Sequence, residues 1–167
     1  MKLSALVCKN VLFLGFLVFV TGCGGAYSVQ NEVTKDNDDN MKKLVTCYGT
    51  FQNNNSRDGF RGPKDEAEFR AFLESDSAQN FLAYVGADGV SIDDLLTSPR
   101  DGQPYTFRWE VTGSSRGSDE PVVFEKEGVD GKRLVGFTSH KFIEATDQEY
   151  DDWLAGNYEP PEKKAGR

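Results

Sequence analysis

The side chains that most often carry out covalent chemistry are scarce in this chain of 167 residues. It has three cysteines, Cys8, Cys23 and Cys47, and a single histidine, His140. A mechanism that needs a Cys–His pair or a cage of histidines therefore has at most one imidazole available. His140 follows Ser139 in a predicted turn, where adjacent side chains point apart, and the sequence offers no third group for a triad. We interpret His140 as a turn residue.

Carboxylates are abundant, but their positions indicate solvated surface rather than acid–base catalysis. Adjacent acids occur at Asp93-Asp94, Asp119-Glu120 and Asp151-Asp152, and each pair adjoins turn residues or a polar helix face. Charged side chains in such positions are usually exposed to water. We therefore predict that the protein is not an enzyme, with no catalytic residue and no cofactor.

One cysteine lies in a context with a specific chemistry. Two lysines precede an apolar run over residues 11–20, which has the length of a secretory signal and is too short to span a bilayer. The run ends in Val20-Thr21-Gly22-Cys23, which resembles the bacterial lipobox. In that motif the cysteine thiol receives a diacylglyceryl group, the chain is cut before the cysteine, and the new amino group is acylated with a fatty acid such as palmitate. The resemblance implies a signal peptide at residues 1–22, cleavage between Gly22 and Cys23, and lipidation of Cys23.

Charge and anchor together limit the partners of the mature protein. Removal of the signal with Lys2 and Lys9 leaves 17 basic and 27 acidic residues, a net charge of −10. Such a surface repels nucleic acid and anionic headgroups, so acyl chains must hold the protein at the membrane. We expect a protein partner of unknown identity and no nucleic acid. In the best-known sorting rule, an Asp directly after the lipidated cysteine retains a lipoprotein at the inner membrane. This chain has Gly24 at that position, so we favour the outer membrane of the cell envelope.

The remaining chain has the size of one domain. Residues 23–39 are small and polar and predict a flexible tether, residues 40–156 predict the folded domain, and residues 157–167 predict a disordered tail. Cys47 then has no intramolecular partner. It either forms an intermolecular disulfide or is a small buried hydrophobe on a helix, and we favour burial.

The first half of the domain has a helical period. An amphipathic helix is predicted from about Asp38 to Gln52, with its apolar face formed by Met41, Leu44, Val45, Tyr48 and Phe51. A second helix is predicted to start at Pro63, whose fixed φ suits a first turn, and to bury Phe69, Phe72 and Leu73. The apolar cluster at residues 81–85 is either a helical turn or a strand.

The second half has a strand period. Alternation predicts a strand over residues 105–111, and two further strands at residues 122–126 and 132–137 flank a turn containing Asp130-Gly131, a hairpin signal. A short segment at residues 141–144 follows. Thr146 and Glu149 form a capping box for a last helix that buries Tyr150, Trp153 and Leu154.

These patterns predict an α+β fold in which N-terminal amphipathic helices pack on a small antiparallel meander, followed by a short C-terminal helix. Its aromatic residues could line a carbohydrate or peptide groove, but their spacing favours core positions. The residues concerned are Tyr105, Phe107, Trp109, Phe124, Phe137 and Trp153.

Helix, loop and meander form the plan of the head of a type II secretion pseudopilin, and three segments resemble it. Asn40–Asn53 resembles the segment after the membrane helix of pilin-like proteins, and Pro99-Arg100-Asp101-Gly102-Gln103-Pro104-Tyr105 is similar to their Asp-x-x-Gly-x-Pro-Tyr turn. Residues 123–126 and 131–137 look like the closing hairpin of a pilin-like group named for a His and a later Asp-Gly. With a lipobox in place of the membrane helix, the resemblance implies a pilin-like head held by lipid that serves interaction or assembly.

The resemblance also implies an alternative function. Major pseudopilins hold calcium in a loop of the sheet region, and the corresponding residues 113–120 offer Ser118, Asp119 and Glu120 together with backbone carbonyls. Oxygen ligands suit calcium. The alternative is therefore a periplasmic ligand- or calcium-binding lipoprotein.

Overall fold

The computed structural model describes residues 26–114 and 117–159. This part of the chain forms five α-helices and one four-stranded antiparallel sheet, which confirms the predicted α+β fold. The elements are α1 (Ala26–Asn54), α2 (Glu66–Leu73), α3 (Asp76–Tyr84), α4 (Ile92–Leu95), β1 (Thr106–Phe107), β2 (Pro121–Phe124), β3 (Arg133–Phe137), β4 (Phe142–Ala145) and α5 (Asp147–Leu154).

α1 is longer than the sequence predicts. It begins at Ala26 rather than near Asp38, so helix replaces the predicted coil over most of residues 23–39. Once the packed half has nucleated a helix, each further residue adds a hydrogen bond, and residues 26–39 contain no Gly or Pro to stop it. Within the described ranges, no helix is long and apolar enough to cross a membrane.

The sheet is a meander in the order β1-β2-β3-β4. β2 and β3 are joined by a tight turn in which Val129 and Lys132 exchange both backbone hydrogen bonds. The two residues between them, Asp130 and Gly131, have φ values of 53° and 72°, the left-handed values that this two-residue turn requires. The Asp-Gly hairpin prediction is confirmed.

The strand predicted over residues 105–111 is wrong in length, because β1 contains only Thr106 and Phe107. Glu110 has a φ of 56°, which turns the chain out of an extended path. Its N–H donates to the carbonyl of Pro63 at 2.7 Å instead of to a neighbouring strand. The alternation nevertheless predicted the burial of Val111 correctly, since Val111 lies in the core.

α2 and α3 also differ from the prediction. α2 begins at Glu66 rather than at Pro63, because Asp65 is its N-cap and accepts a hydrogen bond from the N–H of Glu68 at 2.8 Å. Residues 81–85, which the sequence left undecided, fall at the end of α3 and in its C-cap. Ser75 caps the start of α3.

One face of α1 packs on the sheet as its period predicts. Its core side chains approach the backbone of β3 at Gly136. A Cβ at Gly136 would lie 2.8 Å from Met41 Cγ and 2.9 Å from Val45 Cγ2, so only glycine allows this approach. Most of the aromatic residues assigned to the core are buried, namely Tyr105, Phe107, Phe124 and Phe137.

The C-terminal end of the described chain closes the fold. The capping box of Thr146 and Glu149 is confirmed at the start of α5. Tyr158 lies within the predicted tail of residues 157–167, yet its ring centroid is 4.9 Å from that of Phe137 and 5.5 Å from that of Trp153. The predicted tail therefore starts too early, because aromatic packing extends the fold to Tyr158. The remainder of that tail, residues 160–167, lies outside the described residues.

Candidate functional site

The predicted lipidation and cleavage site lies outside the described residues. Gly22 and Cys23 precede Ala26, where α1 begins. Lipidation of Cys23 and cleavage before it therefore stay predictions. Their structural context is the helix that starts three residues after Cys23.

Asp119, the central residue of the calcium alternative, accepts hydrogen bonds from the β3–β4 connection and from the C-terminal segment. Its Oδ1 accepts from Ser139 Oγ at 2.6 Å, and its Oδ2 accepts from Lys141 Nζ at 2.8 Å and from the Tyr158 hydroxyl at 3.2 Å. Burial alone would raise the pKa of Asp119, but the hydrogen bonds from Lys141 and Ser139 outweigh it and lower the pKa. Asp119 thus connects the loop before β2 to the C-terminal segment as an ionised carboxylate.

The other two residues of that alternative have different partners. Ser118 Oγ lies 2.9 Å from Thr138 Oγ1, and the Glu120 carboxylate lies 3.1 Å from Arg108. Among the described residues, no group of three His, Cys, Asp or Glu side chains could hold a metal ion. The structure therefore does not bring the three side chains to one centre, and calcium binding stays a prediction.

Cys47 is fully buried on α1, which confirms the predicted burial. Burial raises the pKa of its thiol to about 12. The thiolate is the reactive form of cysteine, and almost none of it is present near neutral pH at such a pKa. Cys47 is a core residue and not a nucleophile.

His140 lies in the predicted turn and has a φ of 60°. Its Nε2 is 3.1 Å from Thr46 Oγ1, a contact across 94 residues that no local sequence signal could reveal. Thr46 uses its one hydroxyl hydrogen to donate to the carbonyl of Lys42 at 2.7 Å. His140 Nε2 must therefore carry the hydrogen in the contact with Thr46. This arrangement orients the imidazole, and the partner of its Nε2 in the part of the chain that the structure describes is a threonine hydroxyl.

A groove lies beside this contact, and we call it the α1 groove. It has a volume of about 190 Å³ and runs between the exposed side of α1, from Thr46 to Asn53, and the loops that flank β2 and β3, including Thr138 and His140. Gln52 lines it and is only 5% exposed. Sequence reasoning missed this groove because its walls come from distant parts of the chain.

A buried polar cluster lies elsewhere, and we call it the Glu125 cluster. Glu125 is fully buried; its Oε1 accepts from Ser98 Oγ at 3.0 Å, and its Oε2 accepts from the N–H of Leu134 at 2.7 Å and from Arg100 at 3.3 Å. Burial raises the pKa of Glu125, although the Leu134 N–H and the charge of Arg100 oppose that rise. Arg100 also pairs with Glu144 at 3.1 Å.

Asp101 completes the Glu125 cluster. Its carboxylate accepts hydrogen bonds from the backbone N–H groups of Gln103, Glu127 and Gly128 at 2.8–3.0 Å. The turn at residues 98–104 is thereby fixed to the β2–β3 hairpin just before the chain enters β1. An acidic residue at the end of the apolar segment 121–124 was the sequence signal that could have indicated this cluster.

Comparison with known proteins identifies no relative of this chain. No protein-family model matches the sequence, and no curated protein or solved structure matches it. The proposals below therefore depend on the residues of this chain and on the motif resemblances described above.

Proposed function

We propose that this protein is a lipid-anchored, non-catalytic component of the bacterial cell envelope whose domain binds another protein. The observation that carries the proposal is the sequence Val20-Thr21-Gly22-Cys23 at the end of a signal-length apolar run. Two or three acyl chains, each contributing about 0.8 kcal/mol per buried CH₂, exceed the single chain that gives only marginal attachment. Because Gly24 follows the cysteine, we propose the outer membrane.

The start of α1 supports this arrangement. The helix begins three residues after Cys23, and its first half, before Met41, extends for about 20 Å at a rise of about 1.5 Å per residue. A helix fixes the separation of its two ends better than a coil does. The domain would therefore stand at a defined distance from the lipid, where an envelope partner can reach it.

The state of the reactive groups supports a non-catalytic role. The Cys47 thiol is buried with a raised pKa, and the His140 imidazole contacts a threonine whose own hydrogen is already donated. Asp119, Glu120 and Glu125 are each paired with a lysine or an arginine. These pairings hold structural elements together and leave no evident nucleophile with an activating base among them.

The arrangement of a long helix on an antiparallel meander supports a pilin-like interaction domain. In the Pro99–Tyr105 turn, the Ser98 N–H donates to the carbonyl of Gln103 and the Tyr105 N–H donates to that of Leu96. The turn leads directly into β1, as the resemblance to pseudopilin heads implies. The assembly role rests on this likeness and on the anchor.

Substitution of the two cysteines of the mature chain tests the anchor. Cys23→Ser should move the protein from the detergent phase to the aqueous phase in phase partitioning, or leave it as uncleaved precursor. Cys47→Ala is the matched control and should partition like the wild type. If Cys23→Ser also partitions like the wild type and is cleaved normally, the anchor does not exist.

Crosslinking of intact cells tests the interaction. The wild-type protein should yield a discrete crosslinked species with an envelope protein, and Cys23→Ser should lose most of it because lipid no longer holds the domain at the outer membrane. An undiminished yield from the unanchored variant, or no discrete species from the wild type, would contradict a partner that depends on the anchor.

A further inference from the structure

We propose that the α1 groove is a binding site for one uncharged, hydroxyl-rich sugar unit. The proposal goes beyond the anchored interaction role and does not depend on it. Three observations carry it: a buried amide with an open acceptor, walls whose hydroxyl hydrogens are already used, and the absence of Asp, Glu, Lys and Arg among the lining residues that the structure describes.

The buried amide is that of Gln52. Its Nε2 donates to the carbonyl of Val111 at 2.8 Å, whereas its Oε1 accepts no hydrogen bond within the described residues. An acceptor that lines a groove and is not paired by the protein is available to a hydrogen of a ligand. Gly113 leaves this amide uncovered, because a Cβ there would lie 3.0 Å from Gln52 Oε1. The groove therefore presents an acceptor that a bound hydroxyl or amide hydrogen would satisfy.

The hydroxyl groups of the walls present acceptors as well. Each hydroxyl has one hydrogen and two lone pairs. Thr50 donates its hydrogen to the carbonyl of Thr46 at 2.9 Å, and Ser114 donates its hydrogen to the carbonyl of Gly117. Their lone pairs remain for a ligand. A ligand that matches this groove must therefore be rich in donors.

The charge and the volume of the groove further restrict the class of ligand that fits it. None of the lining residues described is an Asp, Glu, Lys or Arg, so these residues offer no counter-ion to a charged ligand in return for the hydration it would lose. The volume of about 190 Å³ corresponds to about six water molecules at about 30 Å³ each. That is about the space of one hexose with its hydroxyls. Phe60 adds an apolar surface for the C–H face of a sugar ring.

Two residues that line the groove have positive φ values. Phe60 and His140 both line it, and both are non-glycine residues with a φ of 60°. Conformations of this kind are unfavourable and concentrate at sites that hold ligands. Both residues lie in turns, in which the N–H of Phe60 donates to the carbonyl of Asn55 and that of His140 donates to the carbonyl of Phe137, and both turns form walls of the groove.

A titration followed by NMR tests the proposal. The full mature chain, held in a detergent without a sugar headgroup, is titrated with glucose and with N-acetylglucosamine. Saturable shifts with a millimolar dissociation constant should appear at the side-chain amides of Gln52 and Asn53 and at the backbone amides of Gly49 and Thr50. Tighter binding of the N-acetylglucosamine trisaccharide than of the monosaccharide would identify a glycan as the source, and equal binding would identify a free sugar.

Two variants and a matched control locate the binding. Gln52→Met removes the open acceptor and should weaken binding at least about tenfold. Gly49→Leu should abolish binding while the domain stays as stable as the wild type, because a Cβ at Gly49 meets nothing within 4 Å and leucine favours helix. Gln79→Met removes a similar amide bond, from Gln79 Nε2 to the carbonyl of Leu73 at 2.7 Å, outside the groove, and should leave binding unchanged.

Three results would overturn the proposal. The first is the absence of saturable shifts with either sugar. The second is retention of sugar binding in the stably folded Gly49→Leu variant. The third is a response of the same resonances to a neutral tripeptide of glycine and serine but not to the sugars, which would assign the groove to a peptide instead.

Discussion

The Glu125 cluster and the α1 groove each contain a polar side chain that is at least 95% buried, but they differ in how that side chain is satisfied. Both carboxylate oxygens of Glu125 accept hydrogen bonds from the protein. Gln52 Oε1 accepts none within the part of the chain that the structure describes. Buried polar networks rigidify a fold when every member has a partner. The difference indicates that the cluster serves architecture and that the groove has capacity left for a ligand.

The two regions also differ in the charge of their side chains. The Glu125 cluster contains Arg100 with a side chain only 6% exposed, together with Glu125, Glu144 and Asp101. The described residues that line the α1 groove carry hydroxyls, amides, an imidazole and one phenyl ring, or are glycines, and none of them is an Asp, Glu, Lys or Arg. Removal of one charge from the cluster leaves another charge buried, whereas removal of one amide from the groove leaves no charge behind.

Arg100→Ala should cause the largest loss of stability. It leaves the fully buried carboxylate of Glu125 without its cation, and breaking a buried pair in this way costs about 3–5 kcal/mol. Urea unfolding measures the change. Arg70→Ala is the control, because Arg70 pairs with the exposed acids Glu66 and Asp93, and such pairs contribute about 0–1 kcal/mol. Equal losses in the two variants would show that the Glu125 cluster is not structural.

Asp101→Asn should lower the free energy of unfolding by less than Arg100→Ala does. It should also change how that free energy depends on pH at acidic pH. Burial alone would raise the pKa of Asp101, but the N–H groups of Gly128, Gln103 and Glu127 outweigh it and lower the pKa. A carboxyl with a lowered folded-state pKa stabilises the fold above its ordinary pKa and loses that contribution as the pH falls. The variant should lose about 2 kcal/mol at neutral pH, as expected for hydrogen bonds to a charged group, and depend less on pH below about 4.

Glu125→Gln should change the pH dependence of stability in the opposite direction to Asp101→Asn. It therefore serves as the comparison within the same cluster. The folded-state pKa of Glu125 is raised, so its contribution to stability decreases as the pH rises from the ordinary value through the folded-state value. Unfolding midpoints across this pH range should therefore fall less steeply for the variant than for the wild type. The same pH slope in Asp101→Asn and Glu125→Gln would contradict the assigned directions.

The sequence predicted the parts of this molecule that depend on local chemistry. Helical period indicated the buried face of α1, the Asp130-Gly131 pair indicated the β2–β3 turn, and the Thr146 capping box indicated the start of α5. Each signal is contained within a few residues. The length of α1 was underestimated because helix propagates from its packed half into polar sequence.

Neither polar region could be derived from the sequence. The Glu125 cluster joins Arg100 to Glu125 and the α1 groove joins Thr46 to His140, across 25 and 94 residues. Burial of Glu125 depends on how the turn at residues 98–104 packs on the hairpin, which no period encodes. The predicted strand at residues 105–111 was too long for a related reason, because a hydrogen bond between Glu110 and Pro63 redirects the chain.

Gln52→Met should cost about 1 kcal/mol or less, which sharpens the contrast with Arg100→Ala. The variant loses the hydrogen bond to the carbonyl of Val111, but that carbonyl still accepts from the N–H of Gly62 at 3.0 Å. The loss of one hydrogen bond without an orphaned partner is at the low end of the usual range. Thermal unfolding measures it. A loss of several kcal/mol would mean that the Gln52 amide is a structural group, like those of the Glu125 cluster.

Calcium should have the smallest effect, with almost no change in the melting temperature of the wild-type protein. Ser118 lies on the wall of the α1 groove, but the carboxylates beside it face Lys141 and Arg108, and a calcium ion would have to displace those cations. If the site did bind calcium, a concentration of about 100 times the dissociation constant would stabilise the fold by about 2.7 kcal/mol. A rise of several degrees that disappears in Asp119→Ala would make the polar region near the groove a cation site. It would then favour the calcium-binding lipoprotein over the anchored interaction domain.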